Sequence, residues 1–132
     1  MRILVTGSRH WKDYAVISRG LTVAIETLIA KFPDDKTITL VHGAAPGADS
    51  LAAKFMVNAT KFLASKGYRV VIEPHPADWD KYRNAAGPIR NREMVEAGAD
   101  ICVAFVAPDS KGTVGCMKMC ADAGIEILEY RS

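Results

Sequence analysis

With 132 residues, 49% of them hydrophobic, the chain can bury one core without disulfides or a structural metal, which predicts a single domain spanning 1–132. A net charge of +2 lacks the basic excess of a dedicated duplex-DNA binder, and no apolar run reaches membrane-spanning length. Three cysteines without framework spacing, and a start at Met1-Arg2-Ile3-Leu4-Val5-Thr6 with no signal-peptide plan, predict a cytoplasmic protein with no membrane association.

Arg2–Thr6 reads as a first strand feeding a tight loop at Gly7-Ser8-Arg9. From about Asp13 the spacing turns helical, with Ile17, Leu21, Ala24, Ile25, Leu28 and Phe32 on one face, until Pro33-Asp34-Asp35 stops it. Thr37–Val41 is a second strand. The chain then breaks at Gly43, passes a Gly/Pro/Asp turn and becomes helical over Gly47–Ser65, closed by Lys66-Gly67. Arg69–Glu73 makes a third strand, and 74–88, rich in Pro, Gly, Asp and Asn, predicts a long ordered loop. A short helix over Ile89–Glu96, a strand over Ile101–Phe105, a helix over Thr113–Ala123 and a strand over Glu126–Glu129 complete the chain. This alternation predicts an α/β, Rossmann-like three-layer sandwich with a five-stranded parallel sheet and helices on both faces. Ligands of such folds bind beyond the carboxyl ends of the strands, so the loops 7–12, 42–49, 74–90 and 107–113 share one rim.

Those loops hold nearly all the residues with chemistry to offer. Gly7, Ser8 and Arg9 combine backbone amides, a hydroxyl and a guanidinium suited to phosphate. His42, Gly43, Ala44, Gly47 and Asp49 form a glycine loop ahead of a helix N-terminus, an arrangement that favours anions but also suits a plain βα turn. In Gly87-Pro88-Ile89-Arg90-Asn91-Arg92, Pro88 falls near a helix start and Arg90 in its first turn, a cation where the helix dipole disfavours one unless an anion is shared. The alternative pairs Arg90 and Arg92 with Glu93, Glu96 or Asp80. Lys111, Gly112 and Thr113 repeat the anion-friendly design, with Thr113 able to cap or to bind. Trp79 and Tyr82 can stack on a base or pin their loop to the core. His10, His42 and His75 follow three strands at this rim without ligand spacing, so no metal site is expected, and the three cysteines read as small core residues. Asp49, Asp78 and Glu93 are the carboxylates best placed for acid–base work, although Asp49 can serve as a cap.

Gly7-Ser8-Arg9, the run His42 to Asp49, Pro76-Ala77-Asp78-Trp79, the run Ala86 to Met94 and Lys111-Gly112-Thr113 occur in an order that resembles the YspA/cpYpsA-related branch of the SLOG superfamily, small Rossmann-like proteins often carried by phages and mobile elements. The resemblance spans essentially the whole chain. It implies a pocket for a nucleotide or nucleotide-derived molecule. Of two related groups, DprA proteins carry a similar glycine turn and an Arg-Asn-Arg run like Arg90-Asn91-Arg92, and bind single-stranded DNA. LOG-type phosphoribohydrolases carry a Pro-Gly-Gly-x-Gly-Thr-x-x-Glu motif whose Glu serves catalysis. Here only Gly112-Thr113 of that motif remains, and Cys116 stands in place of the Glu.

Three readings follow: a sensor or sequestering module for a phosphate-bearing nucleotide derivative, an N-glycosidase or other nucleotide hydrolase, and a single-stranded DNA binder. No cofactor is implied. The apolar helix faces suit a homodimer or higher homo-oligomer.

Overall fold

Short β-branched runs alternate with amphipathic ones along the whole chain, and the computed structural model, which describes residues 1–132, folds them in that order. The elements are β1 (Arg2–Gly7), α1 (Tyr14–Lys31), β2 (Thr37–His42), α2 (Ala48–Ser65), β3 (Arg69–Pro74), α3 (Trp79–Tyr82), a 3-10 turn (Arg83–Ala85), α4 (Ala86–Ala97), β4 (Ile101–Val106), α5 (Lys111–Asp122) and β5 (Glu126–Arg131). All five strands are parallel, in the order β3-β2-β1-β4-β5. Each crossover from one parallel strand to the next carries at least one helix, as parallel pairing requires.

Side-chain alternation in β1 divides the core. Ile3 and Val5 join α1 and α2 in an 18-residue cluster on one face, whereas Leu4 meets Met94, Val95, Cys116 and Cys120 of α4 and α5 in a 7-residue cluster on the other. Every residue of β4 is buried because helices cover both faces there, while the edge strands β3 and β5 are partly exposed. Phe105, fully buried, packs its ring 5.5 Å from Trp11 and 5.7 Å from Tyr130.

The segment 74–88 departs from the expected loop. Asp78 accepts a hydrogen bond from the Lys81 amide and starts α3, Arg83 turns the chain at φ 53°, and α4 begins at Ala86 rather than Ile89. Pro88 is tolerated as the third residue of α4 because the first four amides of a helix have no partner within it, so its missing N–H costs no bond. Arg90 is consequently the fifth residue of α4 and not part of its first turn.

The strand order reverses between β1 and β4: the chain steps outward from β1 through β2 to β3, then returns to the other side of β1. At such a reversal the loops leaving the two central strands diverge, opening a crevice at their carboxyl ends.

Candidate functional site

A cavity of about 390 Å³ fills that crevice, and only 2 of its 15 lining residues are hydrophobic. The end of β1 and the loop after it contribute Gly7, Ser8, Arg9 and His10; the β4–α5 connection contributes Asp109 and Ser110, and the first turn of α5 Lys111, Gly112 and Thr113; α4 contributes Gly87, Pro88, Arg90 and Asn91. Ala45 and Trp79 close the perimeter. Ser8, Arg90, Asn91, Ser110 and Thr113 are buried and form the floor, while Arg9, His10, Trp79 and Lys111 are exposed at the mouth.

Arg90 is the floor's distinguishing residue. It is only 9% exposed, yet no carboxylate pairs with it. Its Nε donates to Asn91 Oδ1 at 2.7 Å and its Nη1 donates to the carbonyl of Gly43, leaving Nη2 with no partner in the protein. Burial lowers the Arg90 pKa, and Arg9 adds to that, while Asp49 opposes it. A guanidinium retains its charge under such shifts, so the floor presents a desolvated cation with donor capacity to spare.

The glycine loop holds Arg90 rather than the cavity. A Cβ on Gly43 would collide with the Arg90 guanidinium, and one on Gly47, at φ 75°, would collide with the Ser8 carbonyl. Asp49, the second residue of α2, does not cap that helix. Its Oδ2 accepts from the amides of Gly43 at 3.0 Å and Ala45 at 3.3 Å, so the carboxyl fastens the loop that in turn fixes Arg90. His42 Nδ1 accepts from the Ala44 amide at 3.0 Å, which leaves the proton of the neutral ring on Nε2.

On the opposite wall α5 begins at Lys111. Ser110 Oγ accepts from the Ala107 amide at 3.0 Å and shapes the turn instead of capping the helix. The amides of Gly112 and Thr113 make no hydrogen bond within the protein and carry the positive end of the helix dipole. Thr113 is buried in this first turn. Asn91 ties the two walls, because its Nδ2 lies 3.5 Å from the Gly112 carbonyl while its Oδ1 receives Arg90. At the mouth the Arg9 guanidinium lies 5.1 Å above the Trp79 ring. The ion pairs of the protein involve Arg2, His75, Arg131 and the N-terminal amine, so Arg9, Arg90 and Lys111 all face the cavity unpaired.

Of the residues singled out in the sequence, Gly7, Ser8, Arg9, Trp79, Arg90, Asn91, Lys111, Gly112 and Thr113 line this one cavity. His42, Gly43, Ala44, Gly47 and Asp49 stand behind it as the support of Arg90. Asp78 and Glu93 are exposed outside the lining, the first as the cap of α3. The alternative ion pairs of Arg90 and Arg92 with Glu93, Glu96 or Asp80 do not form. Tyr82 does not line the cavity, and Trp79, 45% exposed, meets Arg9 on one side and lies against Gly87 of α4. His75 Nε2 lies 2.7 Å from Glu73 and His42 Nδ1 is taken by the Ala44 amide of its own loop; no cluster of three or more His, Cys, Asp or Glu side chains is suited to a metal. Sequence reasoning passed over His10, Ala45, Gly87, Pro88, Asp109 and Ser110 as lining residues. All six fall in the four rim loops; the Asp109-Ser110 pair just before a helix was the available signal.

A parallel sheet of this order, with its cavity between the two central strand ends, places the chain among Rossmann-like α/β domains. Residues 1–82 match the model of the YspA, cpYpsA-related SLOG family, and the chain belongs to that family. It is also similar to the Gene 61 protein of Mycobacterium phage D29, with 36% identity over 129 residues, covering 98% of this chain and 95% of the relative. Family membership points to a role connected with nucleotides. No helix is long and apolar enough to cross a membrane.

Proposed function

We propose that the protein binds a nucleotide or nucleotide-derived molecule through its phosphate in the cavity between β1 and β4, as a sensor or sequestering module. The observation that carries this reading is Arg90: a buried guanidinium with no carboxylate in ion-pair contact, opening on a cavity whose far wall is an unsatisfied helix N-terminus. Burying a cation is costly unless a counter-charge arrives, and a phosphate oxygen at Nη2 supplies it with a charge-assisted hydrogen bond of roughly 1.5–3 kcal/mol. The free amides of Gly112 and Thr113 complete the seat. Arg9 and Trp79 at the mouth form a flat surface on which a base or sugar can lie.

The rival readings draw less support. In place of the carboxylate of LOG-type hydrolases, Cys116 is fully buried, its thiol pKa pushed up by its hydrogen bond with Cys120 and by burial. A strand of DNA needs a groove to run through, whereas here the deep residues close a floor. A thermal-shift screen of nucleoside phosphates, cyclic nucleotides and ADP-ribose tests the proposal. A true ligand at 100 times its Kd adds about 2.7 kcal/mol of stability, and Arg90→Ala abolishes the response. A wild-type protein indifferent to every member contradicts it.

A further inference from the structure

Asp49 Oδ1 is the one buried side-chain oxygen or nitrogen in the protein without a hydrogen-bond partner. Its sister oxygen is occupied by the Gly43 and Ala45 amides, so the buried carboxyl is only half satisfied. Three charged or titratable groups face it from the surrounding elements: Arg90 from α4, Arg9 from the β1–α1 loop and Cys116 from α5. None makes an ion pair with it. Burial dominates and raises the Asp49 pKa to about 6, against the opposing pull of the two amides, Arg90 and Arg9. Asp49 and any anion in the cavity thus depend on the same cations. An anion that takes up the field of Arg90 and Arg9 leaves the enclosed carboxylate less compensated.

We propose that Asp49 links the site to protons: when an anion seats at Arg90, the orphaned Oδ1 accepts one proton from solvent, and the carboxylate becomes a neutral carboxylic acid. The inference rests on the anion-binding reading above. The structure supplies its means, because Oδ2 continues to hold the Gly43 and Ala45 amides when Oδ1 carries the proton, so the loop and Arg90 stay in place. Below about pH 6 Asp49 is already protonated in the free protein, and binding takes up no proton there. Above that value each binding event must recruit one, so affinity falls as pH rises, by up to about tenfold per pH unit until the pKa of the bound state is passed. Asp49→Asn imitates the protonated acid in shape and charge, with an oxygen for the two amides.

Inorganic sulfate is the probe, because its charge is constant between pH 5.5 and 8, unlike that of a phosphate ester. Its affinity is measured across that range by NMR titration of wild type and Asp49→Asn. His10 at the mouth and His42, whose Nδ1 accepts from the Ala44 amide of the loop that holds Arg90, are common to both proteins, so the difference between the two profiles belongs to Asp49. The expected result is a wild-type affinity that weakens by up to about tenfold per unit above pH 6, and a markedly shallower profile in Asp49→Asn. Parallel profiles overturn the linkage while leaving the anion site intact. Sulfate that binds neither protein at any pH, and perturbs no resonance of Arg90, overturns both. Should Asp49→Asn fail to fold, a carbon-13 titration of the Asp49 carboxyl in the wild-type protein decides: a midpoint raised by saturating sulfate supports the proposal, and an unmoved midpoint overturns it.

Discussion

Arg90 in α4 donates to the carbonyl of Gly43, 47 residues earlier in the chain, and that contact joins the two halves of the sheet's carboxyl rim. It requires a glycine, because a side chain at position 43 would occupy the space of the guanidinium. Gly43→Ala should therefore displace Arg90, with a cost of about 1–3 kcal/mol as in other overpacked sites, and weaken the binding of any anionic ligand. Denaturant unfolding and ligand titration of the same variant measure the two effects.

The two tryptophans report on different places. Trp11 is 6% exposed, packed on Phe105 with its Nε1 donating to the Asp13 carbonyl at 3.0 Å, whereas Trp79 stands at the cavity mouth. In a Trp11→Phe variant, occupation of the cavity should change the emission of Trp79. In Trp79→Phe the same ligand should leave the emission of Trp11 nearly constant. Fluorescence titration of both variants checks this.

Acid stability depends on a second cluster. Arg2 donates through Nη1 and Nη2 to both oxygens of Glu73, at 3.0 and 2.8 Å. This bonding, together with His75, lowers the Glu73 pKa to about 2. A carboxyl depressed on folding stabilises the native state above its unfolded pKa of 4.5 and loses that contribution as pH falls toward 2. Glu73→Gln should flatten the stability profile between pH 4.5 and 2. Asp49 acts with the opposite sign: its raised pKa makes stability fall as pH rises from 3.8 to about 6, a slope that Asp49→Asn should remove. Thermal unfolding at stepped pH separates the two limbs.

The three cysteines are buried, and both Cys116 and Cys120 have raised pKa values, Cys120 to about 12. Thiolate is the reactive form. Native protein should resist thiol labelling, and all three cysteines should react together only when the fold opens. Labelling followed by mass spectrometry across a denaturant series shows whether they do.

The regular elements were legible because their periods differ. β4 reads as an uninterrupted apolar run, and Ile17, Leu21, Ala24 and Leu28 repeat at helical spacing, so neither needed tertiary knowledge. The start of α4 was misplaced because Asn84-Ala85-Ala86-Gly87-Pro88 has the composition of a loop, although proline within a helix's first turn breaks no bond. The rim loops could be read from the order of strands and helices alone. What lies within them could not. The burial of Arg90 depends on Gly43 and Asn91, and Asp49 has the spacing of a cap but bonds backward to the loop before its helix. Such contacts arise from packing between distant segments, which leaves no periodic trace in a single sequence.

The central claim is that an anion seats between Arg90 and the first turn of α5. Nitrogen-15 NMR tests it most directly, by following the Arg90 Nε–H together with the backbone amides of Gly112 and Thr113 as a phosphate-bearing nucleotide derivative is added. The account predicts that all three resonances shift and saturate along one binding curve, and that Arg90→Ala removes the shifts at Gly112 and Thr113. Shifts confined to exposed lysines, with Arg90, Gly112 and Thr113 unmoved by every such compound, would contradict it.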